Sequence, residues 1–136
     1  MTIELSRRNE LVIVKLGDAE ITCKPYRAQE YTIAKVKTLN ALNELKKQRE
    51  DELSVGAESK VPNLEDTDVF TGMYTHIFNV EVAKQVIIEW KDITLNGKPA
   101  ELNDENVARL LEDGVLQEQF ILQYEKLQRE VEAEKK

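Results

Sequence analysis

The hydrophobic period of this chain changes at Pro25, and that change limits the folds that the sequence allows. Before Pro25, residues 11–16 and 19–24 carry β-branched or alternating apolar residues on either side of a Gly-Asp pair. Two such runs around a turn predict an antiparallel β-hairpin, and residues 2–5 predict a further short strand. After Pro25 the apolar residues recur at helical spacing. The sequence therefore predicts an α+β fold, mostly helical, with an N-terminal antiparallel β-hairpin followed by four or five α-helices.

The helical part divides at residues whose chemistry starts or stops helices. The first helix is predicted from residue 27 to about 53, where Gly and Pro are absent. Residues 54–65 contain Gly56 and Pro62 and are predicted to form a flexible loop. A second helix, apolar on nearly every side, is predicted from Asp66 or Thr67 to Trp90.

Residues 91–136 predict a turn and two further helices. A turn is predicted at Asn96-Gly97, because both residue types tolerate positive φ. Asn103 is the predicted N-cap of a helix that ends near Gly114, and a last helix is predicted at 115–134. No part of the chain carries enough apolar residues to fold separately, so we expect residues 1–136 to form a single domain.

The charge balance argues against nucleic acid as a partner. The chain of 136 residues has a formal net charge of −7. Residues 1–60 hold 11 basic and 10 acidic side chains, whereas residues 61–136 hold 8 and 16. Because nucleic acid is itself densely negative, a nucleic-acid partner is not expected. An apolar run of the roughly 20 residues that a membrane-spanning helix needs is also absent, so no membrane association is predicted.

The residues that carry catalysis are few and scattered. Cys23 is the single cysteine and His76 the single histidine. None of the three serines lies in a G-x-S-x-G turn, and the five glycines form no phosphate-binding loop. We therefore predict a protein that is not an enzyme and has no cofactor and no metal site. The lone cysteine is typical of an intracellular protein.

One stripe of the last predicted helix has the spacing of a partner-binding surface. Its residues recur four, three and four positions apart, as helix-in-groove anchors do. A helix of about 20 residues spans about 30 Å, so its far end would project beyond a small domain. The alternative, that the stripe packs on its own domain, has equal weight at this point. The predicted partner-binding residues are Phe120, Tyr124, Leu127 and Val131.

Residues 90–111, WKDITLNGKPAELNDENVARLL, resemble a pattern found in the small tail assembly chaperones of long-tailed bacteriophages. In that pattern a Trp precedes a short Asx-Gly turn, a polar helix start and a Leu pair. The same residues also have ordinary structural uses: a Trp fills a core, Asn-Gly makes a turn, and Asn caps a helix. The resemblance lies in their order and spacing. The matching residues are Trp90, Asn96, Gly97, Asn103, Glu105, Asn106, Leu110 and Leu111.

The resemblance implies a function in virus assembly. It implies a non-enzymatic chaperone that binds the phage tape-measure protein and helps to recruit the major tail-tube protein. Such a protein acts in the host bacterial cytoplasm and is absent from the mature virion. A homo-oligomer is compatible with the sequence. Two other hypotheses stay open: a structural virion protein of the neck or tail-completion kind, and an acidic inhibitor that mimics nucleic acid.

Overall fold

A computed structural model of the chain describes Met1, the backbone of residues 10–134 and the side chains as far as Glu130. Within these residues the fold is mixed α+β, and an antiparallel hairpin precedes four helices, as predicted. The strands form one sheet of three strands, in the order β1-β2-β3, and one of two. The elements are β1 (Val12–Leu16), β2 (Ala19–Cys23), α1 (Ala28–Ser54), α2 (Thr67–Val86), β3 (Ile87–Lys91), β4 (Thr94–Leu95), β5 (Lys98–Pro99), α3 (Asp104–Leu111) and α4 (Gly114–Glu134).

The N-terminal hairpin forms where the sequence predicts it. β1 and β2 pair antiparallel, with Val12 opposite Cys23 and Leu16 opposite Ala19. Gly17 has φ +59 in the turn between them, a conformation that glycine adopts without strain. Alternate residues of β1 are buried, so one face of the hairpin lies on the core. The predicted strand at residues 2–5 lies outside the described residues.

The second predicted helix is too long, because its last turn is a strand. α2 ends at Val86, and residues 87–91 form β3, which pairs antiparallel with β2. Val86, Ile87 and Ile88 are three consecutive β-branched residues, which fit a pleated strand better than a helix. The start of α2 is as predicted: the Asp66 side chain accepts hydrogen bonds from the backbone N–H groups of Asp68 and Val69.

The segment between α1 and α2, which the sequence predicts to be a flexible loop, contributes two buried apolar side chains. Val61 and Leu64 are each 5% exposed. The Arg49 guanidinium on α1 donates a hydrogen bond of 2.6 Å to the carbonyl of Val61. The segment is thus held against the end of α1 at two buried positions. Its flexibility stays a prediction.

The last helix begins one residue earlier than predicted, at Gly114, and its Tyr124 lies in the core. Gly114 is the first residue of α4 instead of the end of α3. The Asp113 side chain accepts hydrogen bonds from the N–H groups of Val115 and Leu116, which makes it the N-cap. Tyr124 is 3% exposed, and its hydroxyl donates a hydrogen bond of 2.8 Å to the carbonyl of Lys24.

One glutamine on α4 joins this helix to the edge of the sheet. The Gln123 carboxamide accepts a hydrogen bond of 3.0 Å from the Lys15 N–H and donates one of 2.8 Å to the Lys15 carbonyl. Among the described residues β1 is the edge strand of its sheet, and these two backbone groups point away from β2. The side chain therefore occupies the place of a neighbouring strand at this position.

The core lies between the inner face of the three-stranded sheet and the four helices. Each of these elements contributes apolar side chains that are almost completely buried. The second half of α2 is buried on several sides, whereas its first half is not. The members with no exposed surface are Val14, Ile21, Cys23, Ala34, Ala83, Val86, Leu111 and Phe120.

We expect Gln123→Ala to lower the free energy of unfolding by about 1–2 kcal/mol, because it removes two hydrogen bonds to the strand edge. Gln119→Ala is the matched control, since Gln119 is exposed one turn earlier on the same helix. Both substitutions change helix propensity equally, so their difference isolates the contact with Lys15. Urea unfolding followed by circular dichroism measures it. Equal stability of the two variants would show that the contact contributes nothing.

Candidate interaction surface

Five aromatic side chains form a continuous row across α1, α2 and the residues before α1. Phe70, Tyr74 and Phe78 lie four residues apart on one side of α2. Their rings stack, with centroids 6.2 Å apart for the first pair and 5.8 Å apart for the second. Tyr31 of α1 meets Phe78 edge to face at 5.8 Å, and Tyr26 meets Tyr31 in the same way at 5.8 Å. We call these five residues the aromatic row.

The aromatic row lies at the surface of the protein. Tyr31 is 46% exposed and Phe70 is 38% exposed, and the other three rings are half-buried. The rings of Phe120 and Tyr124 also stack, with centroids 6.1 Å apart, but unlike the row they lie inside the core. Of the eight aromatic residues in the chain, five are thus arranged along one surface. A large exposed apolar patch of this kind marks an interaction site in soluble proteins.

The inner end of the aromatic row is closed by Tyr26. Burial raises the pKa of its phenol to about 12, and the neighbouring Tyr31 and Tyr74 act in the same direction. Its hydroxyl oxygen is buried and has no hydrogen-bond partner among the described residues. Tyr26 therefore stays uncharged at physiological pH and contributes an aromatic ring to the row.

A polar hollow of about 290 Å³ lies on another side of the same two helices. It is bounded by α1, α2 and α3, and charged side chains surround an apolar floor. His76 in this hollow is held by Gln117 of α4, whose amide nitrogen lies 2.6 Å from the ring Nδ1. Gln117 also donates to the Leu111 carbonyl and accepts from Asn79. His76 thus belongs to a network that joins α2, α3 and α4.

The single thiol is not placed for nucleophilic chemistry. Cys23 has no exposed surface, and burial raises its pKa to about 12. A protonated, inaccessible thiol is a poor nucleophile. Among the described residues, no group of three or more His, Cys, Asp or Glu side chains is arranged to hold a metal ion.

The predicted partner-binding stripe on the last helix is wrong for two of its four residues. Phe120 has no exposed surface and Tyr124 has 3%, so neither can contact a partner without unfolding. Leu127 is half-buried and packs against the core. The side chain of Val131 lies outside the described residues. These residues share one face of α4, as their spacing predicts, but that face packs against the sheet.

Residues 90–111 form a small unit that folds back on itself. Asn96 and Gly97 have φ values of +54 and +78 in the turn between β4 and β5, as the sequence predicts. The Trp90 indole N–H donates a hydrogen bond of 3.0 Å to the carbonyl of Ala100. This bond ties the end of β3 to the residues after β5.

The helix in this unit begins with two asparagines in different roles. The Asn103 side chain accepts a hydrogen bond of 2.8 Å from the Asn106 N–H, which is the predicted N-cap. The Asn106 side chain is buried, donates to the Glu101 carbonyl and accepts from Arg109. Leu111 is fully buried and Leu110 packs against the core. The residues that carry the family resemblance therefore build and anchor this unit.

Comparisons with protein-family models, with curated proteins and with solved structures gave no match to this chain. In the part of the chain that the structure describes, no helix is both long and apolar enough to cross a lipid bilayer. The surface geometry therefore carries the functional argument.

The sequence predicts Phe70, Tyr74 and Phe78 on the apolar surface of one central helix and Tyr31 on the first helix, so it does not predict the aromatic row. The 70-74-78 spacing was the available signal. It defines a side of α2 different from that of Val80, Ala83 and Val86, which are buried.

We expect Asn103→Ala to lower the free energy of unfolding by about 1 kcal/mol, because the first turn of α3 loses its cap. Asn103→Asp is the matched variant, since aspartate caps equally well and keeps the hydrogen bond to Asn106. Thermal unfolding of the purified proteins measures both. If the two variants unfold at the same temperature as each other, the cap does not stabilise this unit.

Proposed function

We propose that this protein is a non-enzymatic assembly chaperone that holds an α-helical segment of its partner on the aromatic row. The observation that carries the proposal is the exposure of Phe70 and Tyr31, which lie in the row on either side of the stacked rings of Tyr74 and Phe78. Aromatic side chains bury a large area for little conformational entropy, which suits a binding surface.

The geometry of the row fits a helix as the bound shape. Its rings follow one side of α2 at intervals of one helical turn, about 5.4 Å. A partner helix that lies along this direction meets each ring with apolar side chains three or four residues apart. The position of the row is also fixed by a contact between helices, because Phe78 of α2 packs against Tyr31 of α1.

The partner we propose is the tape-measure protein of a long-tailed bacteriophage. Support for this class comes from the resemblance of residues 90–111 to tail assembly chaperones. A tape-measure protein has long apolar helices that need protection before assembly. In this proposal the chaperone works in the host cytoplasm, helps to recruit tail-tube subunits and is released before the virion is complete.

Co-expression with a phage tape-measure protein tests the proposal. We expect the unchanged protein to keep the tape-measure protein in the soluble fraction. Phe70→Ala combined with Tyr74→Ala should abolish that effect, because truncating central aromatic anchors weakens binding on the order of tenfold or more. The control is Leu122→Ala, which shortens an apolar side chain that is 58% exposed on α4, away from the row.

Two further measurements make the result decisive. The unfolding temperature of the double variant should lie within a few degrees of that of Asn103→Ala, a variant expected to lower stability without changing the aromatic row. Antibody probing of purified virions should find no copy of the protein. Its presence in virions would favour a structural virion protein, and equal tape-measure solubility with all variants would contradict binding at the row.

A further inference from the structure

The charges on α1 are divided between its sides, and the side next to the aromatic row is positive. Tyr31, Lys35, Leu39, Leu42 and Lys46 follow one another at intervals of three or four residues, so they share one side of the helix. Leu42 is buried beneath, and Leu39 is 42% exposed. Lys35 and Lys46 are exposed, and none of the five residues is acidic. Tyr31 is itself a member of the row and fixes which side this is.

The acidic residues of α1 lie on other sides of the helix, except that Glu50 lies beside Lys46 near its C-terminal end. Glu44 and Asp51 line a different hollow on α1, together with Lys47. Glu30 is buried and paired with Lys24 at 3.2 Å. The positive stretch ends near the C-terminus of α1, where Glu50 and Glu65 line a further hollow. The other residues that line it are Lys46, Arg49, Leu53, Asn63 and Leu64.

The side of α2 that carries the row adds no exposed negative charge beyond its first turn. By helical period, Thr71 and Gln85 flank the stacked rings. Glu81 is 8% exposed, and its carboxylate lies 3.4 Å from the Lys84 ammonium. The ion pairs between described residues involve neither Lys35 nor Lys46. A chain of net charge −7 therefore keeps two exposed lysines on the side of α1 that carries Tyr31.

We propose that the segment bound on the aromatic row is an acidic amphipathic helix, with apolar side chains three or four residues apart and Asp or Glu beside them. This inference rests on the proposed function and names the chemistry of its partner. The rings bind the apolar stripe, and Lys35 and Lys46 attract the flanking carboxylates. Charge complementarity of this kind gives selectivity between partners more than it gives affinity. It also makes binding weaker in high salt, since the lysines are solvent-exposed.

Two synthetic peptides of about 20 residues, long enough to span the row as a helix, test the inference against the full-length protein. Both carry leucines at positions i, i+3, i+7 and i+10; one has glutamates beside them and the other has lysines. We expect the glutamate peptide to bind on the order of tenfold more tightly, by fluorescence anisotropy at low salt. Lys35→Glu with Lys46→Glu should remove or reverse this preference.

The matched control is Lys47→Glu with Lys98→Glu, which changes the net charge equally. Lys47 faces the other hollow of α1 and Lys98 lies in β5, and both are exposed. We expect this control to keep the preference within about twofold. Loss of the preference in the control would assign it to overall charge and overturn the inference.

The remaining outcomes separate this inference from the proposed function. If both peptides bind equally and Phe70→Ala with Tyr74→Ala abolishes both, the row binds helices but does not select acidic ones. If neither peptide binds while tape-measure solubility still depends on the row, the acidic-helix inference is wrong and the chaperone function stands. If the protein is a dimer that Lys35→Glu with Lys46→Glu dissociates, the occupant is a second copy of this chain.

Discussion

The pairing of β2 with β3 is the contact on which the rest of the structure depends. β2 is the middle strand, and β3 follows α2 without an intervening loop. The Lys24 N–H also donates a hydrogen bond of 2.9 Å to the Val86 carbonyl, at the point where both helices leave the sheet. The α1–α2 pair is therefore an insertion between two hydrogen-bonded strands. Its position is fixed at its base, and the Tyr26 end of the aromatic row begins there.

This arrangement separates the residues that hold the fold together from those that face outward. The unit at residues 90–111 continues from β3, and its Trp90, Asn103 and Asn106 bonds close it locally. α4 then covers the inner face of the sheet with Phe120 and Tyr124. The first half of α2 lies beyond these contacts and keeps its aromatic side chains half-exposed. A binding surface on that part can change without disturbing the core.

The sequence predicted correctly those features that depend on neighbouring residues in the chain. The hairpin, the Asn96-Gly97 turn and the Asp66 and Asn103 caps all depend on residues within a few positions of each other. It failed where a distant element decides the result. Residues 87–91 match a helical period, but pairing with β2 makes them a strand. Phe120 and Tyr124 have the spacing of a docking stripe, and only the position of the sheet assigns them to the core. The aromatic row could not be predicted from local spacing, because it depends on the contact between Tyr31 and Phe78, which are 47 positions apart in the sequence.

The Gln123 contact with Lys15 has a consequence for the behaviour of this protein at high concentration. An uncovered edge strand offers its backbone groups to any other extended chain, and edge-to-edge joining of sheets leads to aggregation. A side-chain amide that binds both groups of Lys15 blocks this route at the fourth of the five residues of β1 without adding another strand. Ile13, two residues earlier, is exposed, so an apolar side chain lies close to the blocked position. The Gln123 contact in this way restricts edge-to-edge joining through β1 at Lys15.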